Sequence, residues 1–296
     1  MAPMRMPPSF IVIAITGFLV ALAPARGAVS ARQATPDREA QVDVPGVRIH
    51  YVDSGGSGIP VVFLHAATGS SLVWEHQIPA FVSKGYRVIA YDRRGFGRSV
   101  SDPAAKPGTA ADDLLALLNA LHLDRVHVVA TAAGGFVALD FVVSFPERLR
   151  SLVLANTIGG VLDEDYLELG RRIRPEPQFS AMPAEFRELG PSYRAANREG
   201  TERWADMART NRPPGPAEPA QTMRNRLTFS SLEAITTPML LLTGGADLYA
   251  PPPVLRLFAA RIKGAQSVVV PEAGHSAYWE QPELFNREVL GFIGRH

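Results

Sequence analysis

Residues 126–136, reading VHVVATAAGGF, place the tightest limit on how this chain folds. The first half is a short β-branched run that reads as a buried strand. It breaks at Ala132-Ala133-Gly134-Gly135 and continues from Phe136 to Val143 as an apolar stretch that reads as a helix. Joined through so few residues, strand and helix backbones pass closely, and only small side chains fit between them. The five positions Ala130-Thr131-Ala132-Ala133-Gly134 have the frame of the elbow G-x-S-x-G. In that motif the central residue stands on a strained turn with its side chain exposed above a sheet. Here the central residue is Ala132, which offers a methyl group where the motif has a nucleophile.

The rest of the chain repeats this strand-then-helix rhythm. Residues 42–52 read as a hairpin about Pro45-Gly46. The apolar run 60–65 is typical of a buried parallel strand and ends in the small-residue loop 66–71. A helix over 72–82, a strand over 86–91 and the loop 92–99 follow. A helix over 109–121 carries Asp112 and Asp113 in its first turn. After the central stretch comes a strand over 149–156. The rhythm then stops: residues 160–232 contain no convincing strand, only helical patches near 166–173, 183–197 and 202–210 and a proline-rich linker at 212–216. A structureless insert of that length would be unusual in a compact domain, so a helical cap is expected there. Strands over 239–243 and 267–270, with helices over 254–262 and 282–294, complete the pattern. Alternation of this kind specifies an α/β fold: a mostly parallel, doubly wound sheet with helices on both faces and ligands at the carboxyl ends of its strands.

Composition narrows the chemistry. With 296 residues the chain is long enough for one α/β domain, and its formal charge of +1, with the signs interspersed, points away from nucleic acid. It has no cysteine, which excludes disulfides, thiolate catalysis and cysteine-bound zinc. No histidine spacing suits a metal, and no cofactor motif occurs, so the expected partner is a small-molecule substrate alone. Residues 1–31 differ from the remainder: one early arginine, no acid, an apolar run over 10–25 and small residues at 29–31. That is the plan of a secretory signal peptide, and the run is short of the ~20 residues that span a bilayer. The expectation is cleavage near Arg32 and a periplasmic or secreted protein with no stable membrane association. The expected divisions are then a signal peptide at 1–31, a core at 32–159, a cap at 160–232 and a second core segment at 233–296.

Two residues stand in a telling order. Asp247 and His275 each follow an expected strand, so each belongs at the same sheet edge as Ala132. The order elbow, acid, histidine is that of the α/β-hydrolases. The chain resembles that superfamily, in its capped, esterase-like branch, over nearly all of residues 32–296. The resemblance is carried by Phe63-Leu64-His65-Ala66, by residues 92–99 (DRRGFGRS), by the elbow frame ending in Gly134-Gly135, by Gly245-Ala246-Asp247 and by Gly274-His275. It implies Asp247 as the acid that orients an imidazole, His275 as general base, and the backbone N–H groups of Ala67 and Ala133 as an oxyanion hole. Such donors contribute ~3–4 kcal/mol each to transition-state stabilisation and need no particular side chain.

Ala132 is the departure. Without an oxygen or carboxylate there, no acyl-enzyme or alkyl-enzyme forms. Thr131 is adjacent, but the elbow projects only its central residue. His65 is expected to organise the oxyanion loop, His127 to pack in the core, and Asp92 to tie down its own loop beside Arg94 and Arg98, while His50, His76 and His122 show no partner pattern. Three functions follow. One is a hydrolase of small esters or lactones, in an inactivated or divergent form. Another is a cofactor-independent lyase or decarboxylase using His275 and the oxyanion hole without a covalent intermediate. The last is a non-catalytic binding protein for small molecules.

Overall fold

The computed structural model describes residues 38–157, 159–213 and 220–296. The expected signal peptide, residues 1–31, lies outside the described residues. The chain opens with β1 (Arg38–Val44) and β2 (Val47–Asp53), paired antiparallel about Pro45-Gly46 as the sequence predicts. Then follow β3 (Pro60–Leu64), α1 (Gln77–Ser83), β4 (Arg87–Tyr91), the short β5 (Val100–Ser101) and α2 (Ala110–Ala120). The central stretch forms β6 (Val126–Thr131) and α3 (Ala133–Ser144), and β7 (Leu149–Ala155) comes next. Among the described residues the sheet runs β1-β2-β4-β3-β6-β7-β8-β9, with β5 on β2, where β8 is Met239–Gly244 and β9 is Gln266–Val270. Every pairing from β4 through β9 is parallel.

Side-chain alternation along the strands builds the core. Val62, Leu64, Val128, Ala130, Leu152, Leu154 and Leu241 face one side, where α2, α3 and α10 (Pro252–Arg261) cover them. Val61, Phe63, Val129, Val153, Leu240 and Leu242 face the other, beneath α1 and α12 (Pro282–Ile293). A sheet buried on both faces reads as continuous apolar runs, which is why these strands are legible in the sequence. The chain leaves β3 towards β4 on one side, then returns to β6 and works outward through β7, β8 and β9 on the other. The loops after β3 and β6 therefore diverge, and the crevice between them is the switch point of the sheet.

Between β7 and β8 lie α4 (Glu164–Ile173), α5 (Gln178–Ala181), α6 (Ala184–Glu188), α7 (Pro191–Ala196), α8 (Arg198–Thr210) and α9 (Phe229–Glu233). Leu189 and Trp204 are buried with Tyr278 and Trp279 of the short helix α11 (Ala277–Glu280), so this helical region is seated on the sheet side. Two expected helices come out divided. Residues 72–82 form a 3₁₀ turn (Ser71–Trp74), capped by the Ser70 hydroxyl, and then α1. The patch 183–197 breaks at Leu189-Gly190, where Pro191 opens a new helix at its first position and a side chain at Gly190 would sit 2.4 Å from the Glu272 carbonyl oxygen. That close approach to the segment before His275 outweighs helix continuity.

Candidate active site

Ala132 follows β6 and precedes α3 with φ 47° and ψ −120°, a conformation costly for a residue with a Cβ. Its N–H donates to the Ala155 carbonyl at 3.0 Å, and its carbonyl accepts from the Thr157 hydroxyl at 2.8 Å. The turn is tight because the helix starts against the sheet. A Cβ on Gly134 would lie 2.5 Å from the Leu64 carbonyl oxygen, and one on Gly135 would lie 2.5 Å from the Thr157 hydroxyl. Thr131, by contrast, is fully buried, and its hydroxyl has no hydrogen-bond partner among the described residues. It points into the protein, away from any reacting group at the elbow's tip.

Asp247 follows β8 and His275 follows β9, and the fold brings them together. His275 Nδ1 lies 2.9 and 3.0 Å from the two Asp247 carboxylate oxygens. A carboxylate only accepts, so Nδ1 carries the proton and Nε2 is left as the basic nitrogen. The carboxylate is saturated by other donors: the N–H groups of Tyr249 and Ala250, the Thr243 hydroxyl and the Asn156 amide, at 2.8–3.1 Å. Burial pushes the Asp247 carboxyl up, but the His275 charge and these hydrogen bonds hold it at about 2. Burial pulls the His275 imidazole down, and the Asp247 charge and hydrogen bond outweigh it, so its pKa lies above the ordinary value. The Tyr249 ring lies over the imidazole with 4.2 Å between centroids, fixing its plane.

Asn156 is a residue the sequence reading left unassigned. It occupies the loop after β7 with φ 51°, and its amide donates to both Asp247 Oδ2 and the Gly274 carbonyl at 3.0 Å. It thereby couples the loops of β7, β8 and β9 beside the elbow. Glu280 is another: its carboxylate accepts from the N–H groups of Gly274 at 2.9 Å and Gly190 at 2.8 Å. The signal for both was faint, a polar residue at a strand end and a buried acid five residues beyond His275. The Glu188 carbonyl accepts the N–H groups of His275 and Ser276, tying the helical insert to the same loop.

On the opposite side of the elbow lies the β3 loop. Ala67 is exposed, and its carbonyl accepts from the Asn211 amide. Ala133 is the first residue of α3, so its N–H has no acceptor within the helix and is free for an anion. His65 is fully buried. Its Nδ1–H donates to the Ala66 carbonyl at 2.7 Å, and its Nε2 accepts the Arg93 N–H at 3.0 Å. Burial, aided by the Arg93 charge, depresses it to about 3, so it stays neutral, and its place is structural as expected. His127 is likewise interior, bonded to the Ser151 hydroxyl. Asp92 accepts the N–H groups of Ser71 and Arg98 and so ties the β3 and β4 loops together. Two details differ from the sequence reading. His50 Nδ1 lies 3.4 Å from Asp92, close but without a hydrogen bond, and Arg94 turns away from Asp92 to pair with Asp113 at 2.8 Å.

Comparison with known proteins identifies the family. The chain is 28% identical over 280 residues to the 2-hydroxy-6-oxononadienedioate/2-hydroxy-6-oxononatrienedioate hydrolase of Burkholderia vietnamiensis, covering 84% of this chain and 92% of that one. Among solved structures, a thermophilic esterase from Thermogutta terrifontis (malate bound) superposes with a TM-score of 0.72 at 29% identity, covering 87% of this chain and 98% of the esterase. Est816, described as an N-acyl homoserine lactone degrading enzyme, superposes with a TM-score of 0.69 at 26% identity, covering 86% and 100%. The family described as the alpha/beta hydrolase fold matches residues 59–282, which takes in the elbow, Asp247 and His275, and the chain belongs to that family.

Proposed function

We propose that this protein is built to hydrolyse a small ester or lactone and that the chain as it stands lacks only the attacking oxygen. The observation that carries this reading is the elbow. Ala132 holds a positive φ that costs about 1–2 kcal/mol, and Gly134 and Gly135 fill contacts that exclude a Cβ. A methyl group needs none of this; a projecting nucleophile does. Two relatives support the substrate class in their own names, one an esterase and one an N-acyl homoserine lactone degrading enzyme, while a third supports hydrolysis alone, as a hydrolase of an unsaturated oxo-dicarboxylate.

The chemistry assigns a role to each part. A hydroxyl at position 132 would give its proton to His275 Nε2 as its oxygen attacks the acyl carbon. Asp247 would stabilise the imidazolium, and the N–H groups of Ala67 and Ala133 would bind the oxyanion. Collapse would expel the alcohol, which takes the proton back from His275, and water would then release the acid. With Ala132 the first bond cannot form. His275 can still activate water, and losing the nucleophile of such a triad costs ~10⁶ in turnover. The lyase reading is favoured by Ala132 itself: it treats the methyl group as the working state and His275 as a base toward a carbon acid.

The test is hydrolysis of short-chain aryl esters and lactones by the unaltered chain, by Ala132→Ser and by Ala132→Ser/His275→Ala. Ala132→Ser should raise turnover by several orders of magnitude, and the double variant should lose that gain. If Ala132→Ser gains nothing while the unaltered chain turns over a keto acid in a His275-dependent way, the hydrolase reading fails and the lyase reading replaces it.

A further inference from the structure

Beside the elbow, on the flank away from His275, a cleft of about 490 Å³ opens between the β4 loop, the start of α3 and the segment after α8. Its size is that of a small-molecule site. Ala133, the expected oxyanion donor, lines one end, and Phe136 and Val137 continue the wall along α3. The charged groups facing it are Arg93, Arg94, Asp140 and Arg212. Two of these are already matched. Arg94 is held by both Asp113 oxygens and by the carbonyls of Pro45 and Gly46. Asp140 accepts the N–H groups of Arg224 and Asn225 and the Asn225 amide.

The other two are cations without an anion among the described residues. The Arg93 and Arg212 guanidinium carbons lie 4.5 and 4.1 Å from the centroid of the same ring, Phe96. Phe96 is buried and packed edge-on against His65. Nε and Nη2 of Arg93 are out of reach of solvent and have no hydrogen-bond partner among the described residues, so an anion in the cleft meets this guanidinium at Nη1. Arg212 is exposed, and its contact with the Gly95 carbonyl is long, at 3.3 Å. Burial lowers the Arg93 pKa to about 10, Tyr91 opposing and the Arg212 charge adding to the effect, which leaves Arg93 charged at neutral pH. Two like charges on one ring, one of them desolvated and unpaired, form a costly arrangement that an anion would relieve.

We infer that Arg93 and Arg212 form an anion clamp in the substrate cleft, and that the substrate is an ester or lactone carrying a free carboxylate at its far end. The clamp deepens the proposed hydrolytic reading and rests on it for the position of the reacting carbonyl at Ala133. The carboxylate sits against the two guanidiniums, the intervening apolar chain lies along Phe136 and Val137, and the acyl carbon reaches the elbow. The clamp acts in binding and orientation and takes no part in bond making.

The experiment uses two probes that differ in one charge: 4-nitrophenyl hydrogen adipate, an anion, and its neutral methyl ester. Calorimetric titration into the full unaltered chain reads binding without acylation, because Ala132 cannot be acylated. The anion should bind at least about tenfold more tightly than the neutral probe, the scale of one charged hydrogen-bonded contact. Arg212→Gln should bring that ratio below about threefold, and so should Arg93→Gln. Arg212 is exposed, so its variant carries the test should Arg93→Gln fail to fold. Equal binding, no binding of either probe, or a preference that survives both substitutions overturns the clamp. Equal binding is also the result expected if a carboxylate of the chain itself neutralises the pair. The same probes separate this inference from the hydrolytic one. If Ala132→Ser cleaves both esters without preferring the anion, hydrolysis stands and the clamp falls. If Ala132→Ser is inert while the unaltered chain shows an arginine-dependent preference, the clamp stands and hydrolysis falls.

Discussion

At the scale of single residues, the site is organised by polar groups that do no chemistry. Asn156 is the clearest. Its two donated hydrogen bonds join Asp247 to the Gly274 carbonyl in a buried setting, and its positive φ suits asparagine better than alanine. Asn156→Ala should therefore cost about 2–3 kcal/mol in denaturant unfolding, the lost bonds and the strained backbone adding together. Asn156→Asp should cost more, since it sets a second carboxylate against Asp247 with no proton to donate at neutral pH. An Asn156→Asp protein as stable as the unaltered one would show that the amide does not hold Asp247 in place. The sequence concealed this residue for a physical reason: its partners are 91 and 118 positions away, and nothing local marks it.

At the scale of elements, the elbow and its flanking loops decide the geometry. Gly134 faces two carbonyl oxygens that belong to β3 and its loop and cannot move without disturbing the sheet. Gly135 faces the Thr157 side chain, whose Cβ at 2.7 Å is not moved by any rotation, so the loop after β7 would have to shift. The expected order is thus Gly134→Ala worse than Gly135→Ala, roughly 3 kcal/mol or more against about 2 kcal/mol, because a loop yields more readily than the sheet, read from chemical denaturation midpoints. Equal losses would mean that the helix, not the sheet, yields at this point. The elements nearest the sheet were the most legible. Strands buried on both faces announce themselves as apolar runs, and the chain order of Ala132, Asp247 and His275 followed from counting them. The helical insert was legible only in outline: its prolines, Pro177, Pro183 and Pro191, stand at helix starts, but where the helices pack depends on distant chain. Gly190-Pro191 marks the break in the helical patch locally, but the approach to Glu272 and Gly274 that Gly190 permits carries no local signature.

At the scale of the whole molecule, buried ionisable groups make stability depend on pH with a definite sign. Burial raises the Glu280 carboxyl to about 7, although its bonds to the N–H groups of Gly274 and Gly190 work against this. Its protonated form is therefore favoured by folding, and stability falls as pH rises from about 4.5 to 7. His275 acts in the same direction higher up. Its folded pKa is raised, so its contribution is complete below the unfolded value near 6.5 and is lost as pH climbs through the folded value. Asp247 acts oppositely at the acid end, losing its contribution as pH falls from about 4 to about 2. The melting temperature should peak near pH 4–5 and decline towards pH 8, and Glu280→Gln should flatten the part of the decline below pH 7. A maximum above pH 7 would contradict these assignments. Residues 1–31 add a prediction about cellular address: we propose that they are removed on export. Mass spectrometry of the mature protein should find its N-terminus near Arg32, whereas an intact membrane-held N-terminus would identify an anchor.

The central claim is that the site is complete but for one oxygen at position 132. Its most direct test is covalent labelling by an aryl fluorophosphonate, which requires an activated hydroxyl and an oxyanion hole but no knowledge of the substrate. The unaltered chain should remain unlabelled by intact mass. Ala132→Ser should take up one equivalent at residue 132, at least about 100-fold faster than Ala132→Ser/His275→Ala, because the hydroxyl is activated only through His275. Labelling of Ala132→Ser no faster than that of the double variant would contradict the account.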